Sequence, residues 1–152
     1  MDTTYTLSTV SEITLVTLQG CPSDVTYLSK ILQMIAEKGV NVDMISLSPS
    51  QGTSAAISIT IADADLGALL PLIPVINKQP GINTIISSGN CKISVYDPRM
   101  KDTPGVAAKI FQAAASVNTD IRIVNTSEVE VSILVTQADA IDAAQSIEAA
   151  LA

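Results

Sequence analysis

The chain has 152 residues, 47% of them hydrophobic and only 15% charged, with a mean hydropathy of +0.41, which is enough apolar material for a substantial core and argues against disorder. Eight Lys plus Arg against fifteen Asp plus Glu give a net charge of -7; that field repels phosphate backbones and anionic lipid, so neither nucleic acid nor a membrane is expected as a partner. With no histidine, no tryptophan and 3% aromatics, the commonest general base, zinc ligand and base-stacking platforms are missing, and the composition leans away from an enzyme.

Residues 1–10 lack the basic start and apolar run of a signal peptide. No apolar stretch reaches ~18 uninterrupted residues, so no bilayer span is expected and the location implied is cytoplasmic. Cys21 and Cys91 are far apart and form no CxxC; without histidine partners they read as reduced thiols, and neither metal nor cofactor is expected.

In chain order, a strand is predicted over 5–10, a turn containing Ser11, and a second strand over 13–18. A helix follows over 23–38, its apolar face made by Tyr27, Leu28, Ile31, Leu32 and Ile35. Strands over 40–47 and 55–61 flank a turn at 49–52. The next helix, 65–76, contains Pro71 and Pro74 and should be short or kinked, because interior prolines remove a backbone donor and clash with the preceding turn. A strand over 83–86, a turn at Gly89 and Asn90, and a strand over 91–96 follow. Then come a helix over 105–116, strands over 119–126 and 129–135, and a helix over 138–150, with Asp139, Asp142, Gln145 and Glu148 on its solvent side.

The chain matches itself at about half its length. Residues 12–16 recur at 92–96, the face Tyr27 to Ile35 recurs as Val106, Ala107, Ile110, Phe111 and Ala114, and 57–59 recur at 131–133. Each unit spells strand, helix, strand, strand, helix, strand, the ferredoxin-like α+β motif of an antiparallel sheet with both helices on one face. The second unit has no fourth strand after its last helix. The strand at 5–10 is placed to supply it, giving domains 11–88 and 89–152 plus 4–10; otherwise that segment frays.

Three segments carry a resemblance: DTPGVAAKIF at 102–111, VNTSEV at 124–129 with VSILV at 131–135, and GVNVDMI at 39–45. Together they resemble the tandem ACT domains of aspartate kinases, over nearly the whole chain. The resemblance implies a regulatory region that binds lysine or threonine and transmits feedback inhibition to a kinase domain, working as a homodimer with each site shared between the first unit of one chain and the second of its partner. No kinase domain is expected within the chain itself, which has no Gly-rich phosphate loop opening a helix. Gln51-Gly52-Thr53-Ser54 echoes part of the family's lysine-containing glycine motif, but its place between two short strands reads as a hairpin turn.

A free amino acid needs donors for its carboxylate and acceptors for its ammonium, and helix N-termini supply the first. In the second unit Asp102 or Thr103 can cap, Pro104 suits the first turn and Gly105 lets a ligand approach the backbone; the same residues also simply start a helix. In the first unit Ser23 stands where the family has an aspartate that helps hold the ligand ammonium. Val25 and Thr26, beside Asp24, replace its Pro-Gly. Asp43, Met44 and Ile45 are retained, whereas Leu47 and Ser48 replace residues that touch the effector. In the second unit Thr126, Ser127 and Glu128 keep the family's effector segment, and Asp120, beside Ile121, replaces an asparagine, a charged acceptor about twice as strong for an ammonium. Asp43, Asp120 and Glu128 read equally as solvated strand edges, and Asp120 and Arg122 should point away from the core. Two functions follow: an amino-acid-binding regulatory subunit or fragment of aspartate kinase, without catalytic activity of its own, or an assembly subunit whose ligand site has decayed.

Overall fold

The alternation that places Val16, Leu18, Ile57, Ile59 and Ile61 on one side of adjacent strands requires that side to be covered. The computed structural model describes residues 5–52 and 54–152, with backbone alone at 49–51. Its elements run β1 (Thr6–Pro22), α1 (Val25–Glu37), β2 (Ile45–Gln51), β3 (Ser54–Ala62), α2 (Leu66–Leu69), α3 (Ile73–Asn77), β4 (Asn83–Tyr96), α4 (Val106–Ser116), β5 (Ile121–Thr126), β6 (Glu130–Thr136) and α5 (Gln137–Leu151). The chain divides into a first unit, Glu12–Ser88, and a second, Gly89–Ala152 with the chain up to Ser11. Thr4, assigned to the second domain on sequence grounds, lies outside the described residues.

Strand order is β2-β3-β1-β4 in the first unit and β5-β6-β4-β1 in the second, with antiparallel pairing of β1 and β2 to β3 and of β4 and β5 to β6. Both are the ferredoxin-like order, and the N-terminal part of β1 completes the second unit. In the first unit Ile31 and Ile35 of α1 bury against Val16, Leu18, Ile57, Ile59 and Ile61, with Tyr27, Leu28 and Leu32 packed beside them. Val106 and Ile110 of α4, with Ala140, Ala143 and Ile147 of α5, do the same over Ile93, Val95, Val131 and Ile133. The predicted helix faces are the buried ones.

The register of the repeat differs from the sequence match. Val16 pairs with Ile59 and Ile59 with Ile45; Ile93 pairs with Ile133 and Ile133 with Val124. Val16 is therefore the counterpart of Ile93, where aligning 12–16 with 92–96 puts it on Tyr96. The cause is that β1 is apolar in both phases, at Ile13 and Leu15 and at Val16 and Leu18, so its pattern alone does not say which phase is buried under the helices.

Other departures have local causes. No turn interrupts β1 or β4: single residues with positive φ, Glu12 (59°) and Gly89 (71°), re-aim the strands where turns were expected. β2 begins at Ile45, not 40, because the Thr60 hydroxyl takes the Met44 N–H (2.8 Å) while Thr60 O accepts from Asp43 N–H (3.0 Å), which breaks the regular ladder. β5 begins at Ile121, not 119, because the Asp120 N–H is bonded to Asp139 Oδ2 (2.9 Å). That contact also leaves Asp139 half-buried while Asp142, Gln145 and Glu148 are exposed. The proline-containing helix is two short ones joined by a 3-10 turn at Leu70–Leu72, with Pro71 and Pro74 at the openings of the last two pieces. β2 and β3 meet around Gly52, with Gln51 opposite Ser54; Thr53 of the expected hairpin lies outside the described residues.

Near the end of β1 the register shifts between Leu18 and Cys21, and Gly20 has φ 74° with its Cα against the Gly81 carbonyl, whose oxygen a methyl group would overlap. Gly20→Ala combines left-handed strain with a backbone clash and is expected to destabilise the fold by about 2–3 kcal/mol. A urea titration comparing midpoints at equal slope checks this.

Candidate functional site

At the start of α1, residues 20–22 turn out of the bulged end of β1, and Asp24 (φ -82°, ψ 150°) caps the helix by accepting the Tyr27 N–H on its Oδ1 at 2.8 Å. The helix begins at Val25, two residues later than predicted. Ser23, Asp24, Val25 and Thr26 are all exposed, Val25 to 76%. Ser23 and Asp24 form one wall of a 380 Å³ cleft completed by residues 20–22, Ser54 and Gln79. Cys21, at 0% exposure, sits at this cleft. Burial raises its thiol pKa and pushes the Tyr27 phenol beside it up to about 12, so both stay protonated and the thiol is a poor nucleophile. Cys21 and Cys91 are both free thiols.

Asp43, Met44 and Ile45 stand at the other end of the same unit. Ile45 lies across Ile59 from Val16, whereas α1 follows Pro22, opposite Ser54; six strand residues at ~3.3 Å each put roughly 20 Å between the two groups. Asp43 is exposed and Ile45 is 42% exposed. Met44 is a buried side chain at 2%, and its N–H and carbonyl are already bonded to the Thr60 hydroxyl and the Thr60 N–H. Leu47, facing the same side as Ile45, is 49% exposed.

The second unit is arranged differently. Gly105, with φ 97°, is the N-cap of α4, and no side chain bonds to the opening amides of that helix. Asp102 and Thr103 do not cap, contrary to the sequence expectation, and Pro104 lies before the helix. The reason is that a 3-10 turn, Pro98–Lys101, precedes them and bends both residues back: the Thr103 and Asp102 N–H groups bond to Arg99 O at 2.8 and 3.2 Å. Thr126, Ser127 and Glu128 are exposed at this same end, because Thr126 pairs with Val131 and Val131 with Val95. Asp120 and Ile121 are at the opposite end, with Ile121 across from Val135 and Cys91. Asp120 and Arg122 point outward as expected, and they pair with each other at 3.1 Å. The carboxylate expected to hold a ligand ammonium thus already has a cation.

Among the described residues no group of three or more His, Cys, Asp or Glu is placed to hold a metal ion, and no helix is long and apolar enough to cross a membrane.

A family model described as an ACT domain matches residues 93–151. An aspartokinase of Bacillus sp. (strain MGA3) is 33% identical over 143 residues, 91% of this chain and 34% of that one. The ligand-free regulatory subunit of aspartate kinase from Thermus thermophilus superposes with TM-score 0.84 at 28% identity, over 95% of each chain. A structure of aspartokinase alpha and beta subunits gives 0.81 at 26%, again over 95% of each. The chain belongs to the ACT-domain regulatory regions of the aspartate kinase family. It spans about a third of the length of the curated relatives it matches.

Within this aspartate kinase regulatory chain two features of the site region escaped the sequence reading. Residues 20–22, Ser54 and Gln79 meet at the cleft only through the strand pairing of β1 with β3 and the return of the chain after α3, so no local motif announces them. The second is Asp97, fully buried next to the exposed segment 126–128, whose carboxylate takes the Arg99 Nη2 at 2.7 Å and Nε at 3.0 Å, along with the Arg99 N–H at 2.9 Å. An Asp directly before Pro98 is a helix-opening signal that could have revealed it. The Asp97 N–H in turn bonds to Val129 O (2.8 Å), anchoring the β5–β6 turn.

The Arg99 hydrogen bonds hold the Asp97 carboxyl below its ordinary pKa, against the opposing effect of burial. A depressed folded pKa contributes stability that is present above the unfolded value of ~3.9 and is lost as pH falls through the folded one. Thermal melts from pH 6 to 2 should therefore show a decline below about pH 4 that is shallower in Asp97→Asn. That variant should itself lose about 1–3 kcal/mol at pH 7, since Arg99 keeps only a neutral partner. Asp24→Ala, which removes the α1 cap, should cost about 1 kcal/mol, and Asp24→Asn much less, in chemical denaturation at neutral pH.

Proposed function

We propose that the chain is an amino-acid-sensing regulatory module of aspartate kinase that binds lysine or threonine and acts, as a homodimer in the cytoplasm, on a kinase catalytic subunit. The observation that carries this reading is the likeness to a regulatory subunit over 95% of both chains. The likeness to a structure holding alpha and beta subunits supports a catalytic partner. The exposed segments at Ser23 to Thr26, at Asp43 and Ile45, and at Thr126 to Glu128 are the surfaces assigned to the effector, with Asp120, Ile121 and Gly105 as further contacts. A ligand that favours one arrangement of the assembly shifts its population by no more than the difference in affinity, and that difference is the feedback signal.

A second reading keeps the fold for assembly alone. It is favoured by three departures: Val25 and Thr26 in place of Pro-Gly, the Asp120 carboxylate taken by Arg122, and exposed Leu47 where the family has an effector-touching side chain. Thermal shift measurements across lysine, threonine and methionine separate the two. Ligand at 100 times its Kd adds about 2.7 kcal/mol, a rise of roughly 5–10 °C for a chain of this size. A flat profile with all amino acids, together with co-purification of a kinase subunit, would leave the assembly reading standing and end the sensing one.

A further inference from the structure

In the second unit the N-terminal part of β1 is the last strand of the sheet. β1 pairs with β3 only from Ile13 onward, so at Thr6–Ser11 the side away from β4 has no strand among the described residues. A free edge offers a row of backbone donors and acceptors to another chain, and sheets usually blunt it with charges or proline. The run Thr-Leu-Ser-Thr-Val-Ser has neither, whereas β5, the opposite edge of the same unit, carries Arg122. Leu7 packs into the core, and the other five residues are exposed, Val10 to 52%. Beside this edge lies a 240 Å³ cleft with Thr9 and Ser11 on one side, Ala140, Ile141 and Gln145 of α5 on the other, and the buried Cys91 as its floor. Ile141 is 68% exposed. α5 runs back along the strand, since the Tyr5 hydroxyl donates to Glu148 O at 3.5 Å beyond the other end of the cleft. Alternate side chains of a strand share a face, so a strand laid about 4.8 Å outside β1 would drop every second side chain into this cleft, under Ile141.

Charge decides the occupant. α5 carries Asp139, Asp142 and Glu148 and has no Lys or Arg, and Thr6–Ser11 is uncharged. Two copies joined at this edge would set the carboxylates of both α5 helices side by side on one face, an arrangement that like charges oppose. A strand with cationic ends is the complementary one. We propose that Thr6–Ser11 is a docking edge at which an extended segment of another protein, with alternating aliphatic residues and Lys or Arg at its ends, adds as a fifth strand of the second unit, seating an aliphatic side chain under Ile141 and its cations toward Asp142 and Glu148. Main-chain hydrogen bonds supply the affinity of such strand addition, and the cleft supplies the selection. The surface shares no residue with the segments assigned to the effector, so it stands whether or not the chain senses an amino acid.

Two-dimensional amide NMR of the full chain tests this with three end-blocked synthetic peptides: Lys-Thr-Val-Thr-Val-Thr-Lys, the same sequence with Glu at both ends, and the lysine peptide N-methylated at its five central residues, which cannot form a ladder. Expected with the lysine peptide are shifts at residues 6–11 and 137–145 and slowed hydrogen exchange of the outward amides of 6–11. Binding should be at least fivefold weaker for the glutamate peptide and at least tenfold weaker for the methylated one. Ile141→Ser changes an exposed side chain, so the fold is kept, and it should weaken the lysine peptide at least threefold. No shift at 6–11 with the lysine peptide would overturn the proposal, as would equal binding of the methylated or the glutamate peptide, or an Ile141→Ser variant that binds as the wild type does. Protection of the 6–11 amides that rises with protein concentration in the absence of peptide would assign the edge to a second copy of this chain and overturn it as well.

Discussion

A four-stranded sheet with helices on one face only must put apolar side chains on that face in every strand, and both units of this chain answer to that requirement. Ile59 between Val16 and Ile45, and Ile133 between Ile93 and Val124, are the same position twice, each under a helix. On the opposite face the equivalent cross-strand pairs are hydroxyls: Thr17 with Ser58 at 3.1 Å and Ser94 with Ser132 at 2.9 Å. Two short side chains that satisfy each other need no outside partner, so the pair is tolerated in a half-buried setting where a lone hydroxyl would be costly. Once the covered face is fixed, the helices have one way to lie and their opening turns come off fixed strand ends.

The repeat is therefore faithful in its core and divergent at those ends. A side chain closes the first turn of α1, and a glycine leaves that of α4 open. The edge strands diverge too, with apolar Leu47 in the place of Thr126. Changes of this kind leave the packing untouched, since none of these side chains is buried. Core and ligand chemistry are carried by different residues, so the two units can share an architecture and still read different molecules.

What could be read from the sequence follows the same division. Helix faces such as Tyr27 to Ile35 were legible because a 3.6-residue period has one solution over three turns. Pro71 and Pro74 announced the broken helix by stereochemistry alone. The phase of β1 was not legible, since Ile13 to Leu18 is apolar on both sides. Nor were the strand openings at Ile45 and Ile121, where one side-chain oxygen, from Thr60 or Asp139, takes an amide that the ladder would have used. For the site, the segments around Ser23 and Thr126 were visible as motif positions. Two properties were not. Asp102 and Thr103 lose their capping role to a 3-10 turn organised by Asp97, and the group at 23–26 lies far from the group at 43–45 because strand register, not sequence proximity, decides which ends meet.

The extended residues Thr6 to Ser11 are made well before the rest of the unit that uses them. They belong to the second unit, whose remaining strands begin at Gly89, so during synthesis they emerge about eighty residues ahead of their β4 partner. Through that interval their backbone donors and acceptors lack their β4 partner, while the first unit, Glu12–Ser88, is complete once Ser88 has emerged. Closing the second unit is thus a long-range event, slow by topology and exposed to wrong strand pairing while it waits. A gene cut between Ser88 and Gly89 would not yield two domains: it would yield one unit trailing an orphan strand and another missing its edge.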